Sequence, residues 1–157
     1  MTRKEIKIAY LEYESANSLE AEDLRLVEAA IEATAHSYAP YSNFNVGAAV
    51  LFEDGVIVKG SNQENAAFPS GLCAERTALF YASAERPDKA ITGIAIAAGQ
   101  NGVLCSQPVS PCGACRQVMA QYQTKGGRNM KVILAGADKV LVFDKVDDLL
   151  PFIFDSI

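Results

Sequence analysis

Between Phe44 and Phe143 the sequence twice passes from a short apolar run into a helical stretch and back, an order that few folds can hold. Phe44, Val46, Ala48, Val50 and Phe52 alternate with other residues up to Asp54-Gly55, and Val56 to Lys59 supplies a return strand, so a β-hairpin is predicted. A helix follows from about Leu72 to Glu85, then a strand from Ile91 to Ala98. Pro111 suits the first turn of a second helix running to about Tyr122, and Val132–Leu134 and Val140–Phe143 read as two further strands. Two strand–helix–strand units predict an α/β fold with a largely parallel sheet covered by helices. Both helix starts should then meet at one edge of that sheet, where α/β proteins build their sites.

Upstream, Leu24, Val27, Ile31, Ala35 and Tyr38 form one helical stripe that begins near Ala21 and that Pro40 terminates. Ile6, Ile8 and Tyr10 alternate weakly, as a short edge strand would. At 157 residues, half of them apolar, the chain is expected to form one domain, residues 1–157, with 1–20 as an N-terminal extension. Fourteen basic residues against nineteen acidic ones give a net charge of -5 without a basic run, which disfavours a polymeric nucleic-acid partner. No stretch has the length of a signal or membrane-spanning segment, so a cytoplasmic protein with no membrane partner is expected.

In a reducing compartment four cysteines point to metal binding or catalysis rather than to a disulfide framework. Cys112 and Cys115 lie three apart at one helix start, where the dipole favours thiolates, and Cys73 comes from the other helix start. Three such ligands for Zn²⁺ leave a fourth tetrahedral position open to water, the arrangement of a catalytic site. Glu75, two residues beyond Cys73, can face that water without being a ligand and serve as the proton shuttle. The pattern C-x-E followed by P-C-x-x-C is the signature of zinc deaminases. Arg76 can hydrogen-bond a ligand sulfur and offset the negative charge of three thiolates. Two other readings compete: a Cys112–Cys115 redox pair, and a closed four-cysteine structural site that recruits Cys105. Cys105, in VLC, reads instead as a buried small hydrophobe, and the lone His36 as a surface residue.

From YAPYSNFNVGAAV through NQENAAFPSGLCAERTALF and SPCGACRQV to LLPFIF, the chain resembles the small homotetrameric cytidine deaminases over roughly residues 25–154. The resemblance implies a three-layer α/β/α sandwich around a mixed sheet of about five strands. It also implies one Zn²⁺ per chain, hydrolysis of cytidine or deoxycytidine to the uracil nucleoside and ammonia, and a homotetramer whose sites are shared between subunits. Cys73, Cys112 and Cys115 match the zinc ligands and Glu75 the shuttle. Asn62 and Glu64 match ribose-binding positions, Phe44 a residue packed against the nucleoside, and Ala66 and Ala74 backbone contacts to the base. Phe154 matches an aromatic that reaches a neighbouring subunit's site. The chain departs from many relatives in having Phe68 where they have Tyr, and in a tail that stops early, at Ile157. Deamination of another aminopyrimidine nucleoside such as blasticidin S is the nearest alternative, and a non-catalytic structural-zinc interaction module the alternative from another class. Deaminases of deoxycytidylate, guanine or tRNA usually carry His at the position of Cys73.

Overall fold

The computed structural model describes residues 1–155. The hairpin forms where the alternation ends: β2 (Asn45–Phe52) and β3 (Ile57–Ser61) pair antiparallel, with Val50 opposite Val58. The four residues between them, Glu53 to Val56, include Gly55 at φ 81°, a left-handed conformation that a side chain would strain. Next come α2 (Ala74–Glu85), β4 (Ile91–Gln100), the short β5 (Val103–Leu104), α3 (Gly113–Gly126), β6 (Lys131–Ala135) and β7 (Val140–Phe143). Before the hairpin lie β1 (Leu11–Tyr13) and α1 (Ala21–Ala33).

The sheet runs β1-β7-β6-β4-β2-β3, with β5 paired to β4. It is mixed, as the family resemblance implies, but has seven strands rather than about five. The expectation of a largely parallel sheet fails: among the described residues only the β4–β6 ladder is parallel. The reason is a skipped position. Chain order takes β3 through α2 to β4, but β2 lies between those two strands and pairs antiparallel with both.

Side chains alternate between two cores. Val50, Ile94, Ile96, Val132 and Leu134 point to one face, where Ala78, Leu79 and Ala82 of α2 and Cys115, Met119 and Ala120 of α3 cover them. Ala49, Leu51, Ala95, Ala97 and Ile133 point to the other, against Leu26, Val27 and Ala30 of α1. Contact is closest at two glycines: a Cβ on Gly47 would meet the Ala30 carbonyl oxygen of α1, and one on Gly60 would lie 2.5 Å from the Ala78 nitrogen of α2.

Two boundaries differ from the sequence reading. α1 stops at Ala33 and passes through a 3-10 turn, Thr34–His36, rather than running to Pro40. The Thr34 hydroxyl donates to the Ile31 carbonyl at 2.7 Å, and the Tyr38 backbone turns to pair with Asn62 and Glu64, so tertiary pairing outcompetes the helical stripe. The edge strand forms at Leu11–Tyr13, not Ile6–Tyr10, because its partner β7 is short and its pairing with β1 ends at Leu11 opposite Val142. Ile6 and Ile8 stay half exposed, while the Tyr10 ring packs on Phe143 with centroids 5.4 Å apart.

Candidate metal centre and active site

Cys73 and Cys112 occupy the N-cap positions of α2 and α3, both in extended conformation and neither making a side-chain capping bond. Their sulfurs are thereby turned away from the helix amides and toward each other. Cys115, one turn into α3, is fully buried, and the three sulfurs lie within 4.8 Å of one another. Tetrahedral zinc with thiolate ligands wants sulfurs about 3.8 Å apart, so the cluster fits the ion after a small contraction. Cys105 is half-buried rather than buried and stands outside the cluster, which leaves three protein donors and removes the basis for a closed four-cysteine site.

The electrostatics favour one thiolate at this point already. The hydrogen bond from Cys115, followed by that from Arg76, pulls the Cys73 thiol down to about 5. Cys115 is pushed far up, first as donor to Cys73 and then by burial and the nearby Glu75. Arg76 Nη2 lies 3.4 Å from Cys73 Sγ, as its sequence position suggests, and its Nε is buried without a partner among the described residues. Glu75 is 5% exposed in the first turn of α2, and burial raises its carboxyl above the ordinary range. A carboxyl shifted in that direction holds a proton more readily than an exposed one, which suits a group that must pick one up and pass it on.

The cluster sits in an open cleft of about 570 Å³ whose lining includes Phe44, Asn62, Glu64, Phe68, Ala74 and Glu75. The structure thus gathers nine of the eleven residues singled out from the sequence, since Cys73, Cys112 and Arg76 line it too and Cys115 completes the sulfur cluster behind them, while Ala66 and Phe154 do not line the cleft of their own chain. Ala66 is exposed, and Phe154 is 67% exposed. Gln117 of α3 holds the Phe154 backbone from both sides, donating from Nε2 to its carbonyl at 2.7 Å and accepting from its amide at 3.1 Å. Phe68, also exposed, meets Tyr41 edge-on with centroids 5.6 Å apart. His36 is exposed, as expected, and Ile157 lies outside the described residues.

Asn62 and Glu64 are largely committed to the protein. Asn62 Oδ1 accepts from the Val46 amide at 2.8 Å and from the Ser37 hydroxyl, and Nδ2 donates to the Phe44 carbonyl at 2.9 Å. Glu64 Oε2 accepts from the amides of Tyr41 at 2.8 Å and Ser42 at 3.2 Å, and Oε1 from the Ser42 hydroxyl. These bonds hold the Glu64 carboxyl below the usual carboxylate range, the Ser42 hydroxyl foremost. Counting bonding capacity among the described residues, Asn62 keeps one N–H and Glu64 one acceptor position, a pair that matches the donor and acceptor of a hydroxyl. Sequence reasoning missed Ser42, Gln117 and Arg116. Arg116 donates from Nε to the Pro111 carbonyl at 2.9 Å and from Nη1 to that of Leu149 at 3.0 Å, and so anchors the loop that delivers Cys112. Only Ser42 left a local trace, as a hydroxyl two residues before an amide it can cap.

Comparison with known proteins agrees with this geometry. Residues 20–127 match the family model described as the cytidine and deoxycytidylate deaminase zinc-binding region. A cytidine deaminase of Halalkalibacterium halodurans is 43% identical over 132 residues, covering 83% of this chain and 92% of the relative. One from Mycobacterium tuberculosis is 36% identical over 125 residues, 80% of this chain and 84% of the relative. Among solved structures, the cytidine deaminase of Burkholderia pseudomallei superposes with a TM-score of 0.68 at 42% identity, covering 83% of this chain and 97% of that one. With three thiols converging at paired helix starts and a buried glutamate beside them, the chain belongs to the zinc-dependent cytidine deaminase family.

Proposed function

We propose that the protein hydrolyses cytidine and deoxycytidine to uridine and deoxyuridine with release of ammonia. The observation that carries this reading is the three-thiol cluster at the foot of a cleft, with buried Glu75 beside it. Cys73, Cys112 and Cys115 would hold one Zn²⁺, which when bound supplies Lewis-acid activation of a water molecule. Glu75, beside that position, would accept a proton from the attacking water and pass it to N3 of the base. The same carboxyl would then take the second proton of that water from the new C4 hydroxyl and give it to the departing amine, which leaves as ammonia. Arg76, hydrogen-bonded to Cys73, offsets part of the thiolate charge and keeps the centre electrophilic. Phe44 packs against the nucleoside, and the spare N–H of Asn62 and acceptor of Glu64 meet a sugar hydroxyl. Ala74 presents its backbone to the base. Ala66 takes the same role on resemblance alone.

The chain acts as one domain over residues 1–157, with 1–20 an N-terminal extension and the family match beginning at residue 20. Its working form is a homotetramer with shared sites, a reading supported by the outward aromatic rings of Phe80, Tyr81, Phe152 and Phe154. In that assembly Phe154 enters a neighbour's cleft, positioned by Gln117. Free thiols at all four cysteines fit a reducing cytoplasm, and among the described residues no helix is long and apolar enough to cross a membrane. Incubation with cytidine, followed by the ultraviolet shift toward uridine, tests the activity. An unchanged spectrum with zinc-loaded protein would refute it.

A further inference from the structure

The segment from Ala39 to Phe44 carries an aromatic of the cleft but belongs to no helix or strand. Asn43 within it adopts φ 53°, the left-handed region that asparagine tolerates better than most side chains. Its neighbours are held by side chains from the stretch after β3. Asn62 Nδ2 donates to the Phe44 carbonyl, and Asn62 Oδ1 accepts from the Val46 amide just beyond. On the other side of the same residue, the Phe44 amide donates to Ser42 Oγ at 3.0 Å, while the Ser42 hydroxyl donates to Glu64 Oε1.

The direction of this chain of bonds is forced. An ionised carboxylate only accepts, so the one hydroxyl proton of Ser42 must go to Glu64, which leaves an oxygen lone pair aimed at the Phe44 N–H. Ser42 lines the cleft, yet its proton is already spent, so it has none to offer a substrate. We propose that Ser42 is a positioning residue: it transmits the hold of Glu64 to the backbone of Phe44 and so sets the sugar end of the cleft for a nucleoside. The proposal rests on the deaminase reading for its kinetics, but not for its geometry.

Removing the hydroxyl frees both ends at once. Glu64 loses a charge-assisted donor and can swing from its sugar-facing pose, and the Phe44 amide loses its acceptor. Neither change touches the sulfur cluster or Glu75. In Ser42→Ala the KM for cytidine should therefore rise about tenfold, with kcat held within about twofold and zinc content unchanged. Ser42→Thr, which keeps the hydroxyl, should restore KM. Hydrogen exchange at the Phe44 amide in the zinc-loaded protein, read by nuclear magnetic resonance, should be slow in wild type and in Ser42→Thr and fast in Ser42→Ala. Unchanged KM and exchange in Ser42→Ala would overturn the proposal, as would kcat falling in step with zinc content. A wild-type protein that leaves cytidine untouched would defeat the deaminase reading instead, and the Phe44 exchange rates would still decide the role of Ser42.

Discussion

Gly60→Ala tests how closely the sheet seats the helix that carries Cys73 and Glu75. A Cβ at this position would lie 2.5 Å from the Ala78 nitrogen, 2.8 Å from its Cα and 2.9 Å from its Cβ. All three atoms move only with α2 itself, so relief requires the helix to lift from β3 by nearly an ångström. Overpacking costs about 1 to 3 kcal/mol, and a clash with backbone belongs at the upper end. For a chain of this size that corresponds to a fall in Tm of about 6 to 12 °C. The lifted helix also carries Cys73 away from Cys112 and Cys115 on α3, so zinc affinity should drop by about ten- to a hundredfold. Circular dichroism melts and competition with a chromogenic chelator measure the two effects. Gly47→Ala is the control: its Cβ would meet the Ala30 oxygen and lie 2.6 Å from the Thr34 nitrogen, against the start of the turn after α1 on the opposite face. It should lower Tm comparably while leaving zinc affinity unchanged. If Gly60→Ala kept both Tm and affinity, the close seating of α2 would be wrong. If Gly47→Ala lost zinc equally, general softening rather than helix displacement would explain the result.

Cys105→Ser should retain one zinc per chain by metal analysis, whereas Cys112→Ser should lose the metal and the activity together, because only Cys112 belongs to the sulfur cluster. Glu75→Gln preserves the size of the side chain but cannot carry a proton, so steady-state turnover should fall by several orders of magnitude with zinc retained. Arg86 grips Asp54 with two hydrogen bonds, of 2.9 and 2.6 Å, and this lowers the Asp54 pKa. A depressed carboxylate pKa stabilises the fold above the ordinary aspartate value of about 3.9 and stops doing so as pH falls through the folded value. Asp54→Asn should therefore melt earlier than wild type at neutral pH, and the two melting temperatures should converge as the pH falls through the folded Asp54 value.

Local pattern made the hairpin, both later helices and the sulfur cluster legible, because each rests on a short-range rule. Alternation marks β2 and β3, and a cysteine before a helical stripe marks a helix start whatever the rest of the chain does. Strand order was not legible, since the placement of β2 between β3 and β4 depends on pairings that apolar periodicity does not encode. The early end of α1 was hidden for a similar reason: Tyr38 has good helical periodicity, but its backbone partners lie at Asn62 and Glu64. At the site, ligand chemistry announced Cys73, Glu75, Cys112 and Cys115. Ser42, Arg116 and Gln117 did not announce themselves, because each acts through a backbone group or carboxylate more than twenty residues away in at least one of its bonds.

The pairing of β1 with β7 joins residues about 130 positions apart in sequence, Leu11 with Val142 and Tyr13 with Val140. On the ribosome the first strand therefore has no mate until Val140 to Val142 have been made. Until then Leu11 and Tyr13 accompany a nascent sheet whose outer border is unsealed, and that border is a place where two unfinished chains can join. Covering of the β7 edge by β1 waits on the synthesis of β7, and a ribosome that stalls before Val140 releases a product in which Leu11–Tyr13 has no strand to pair with.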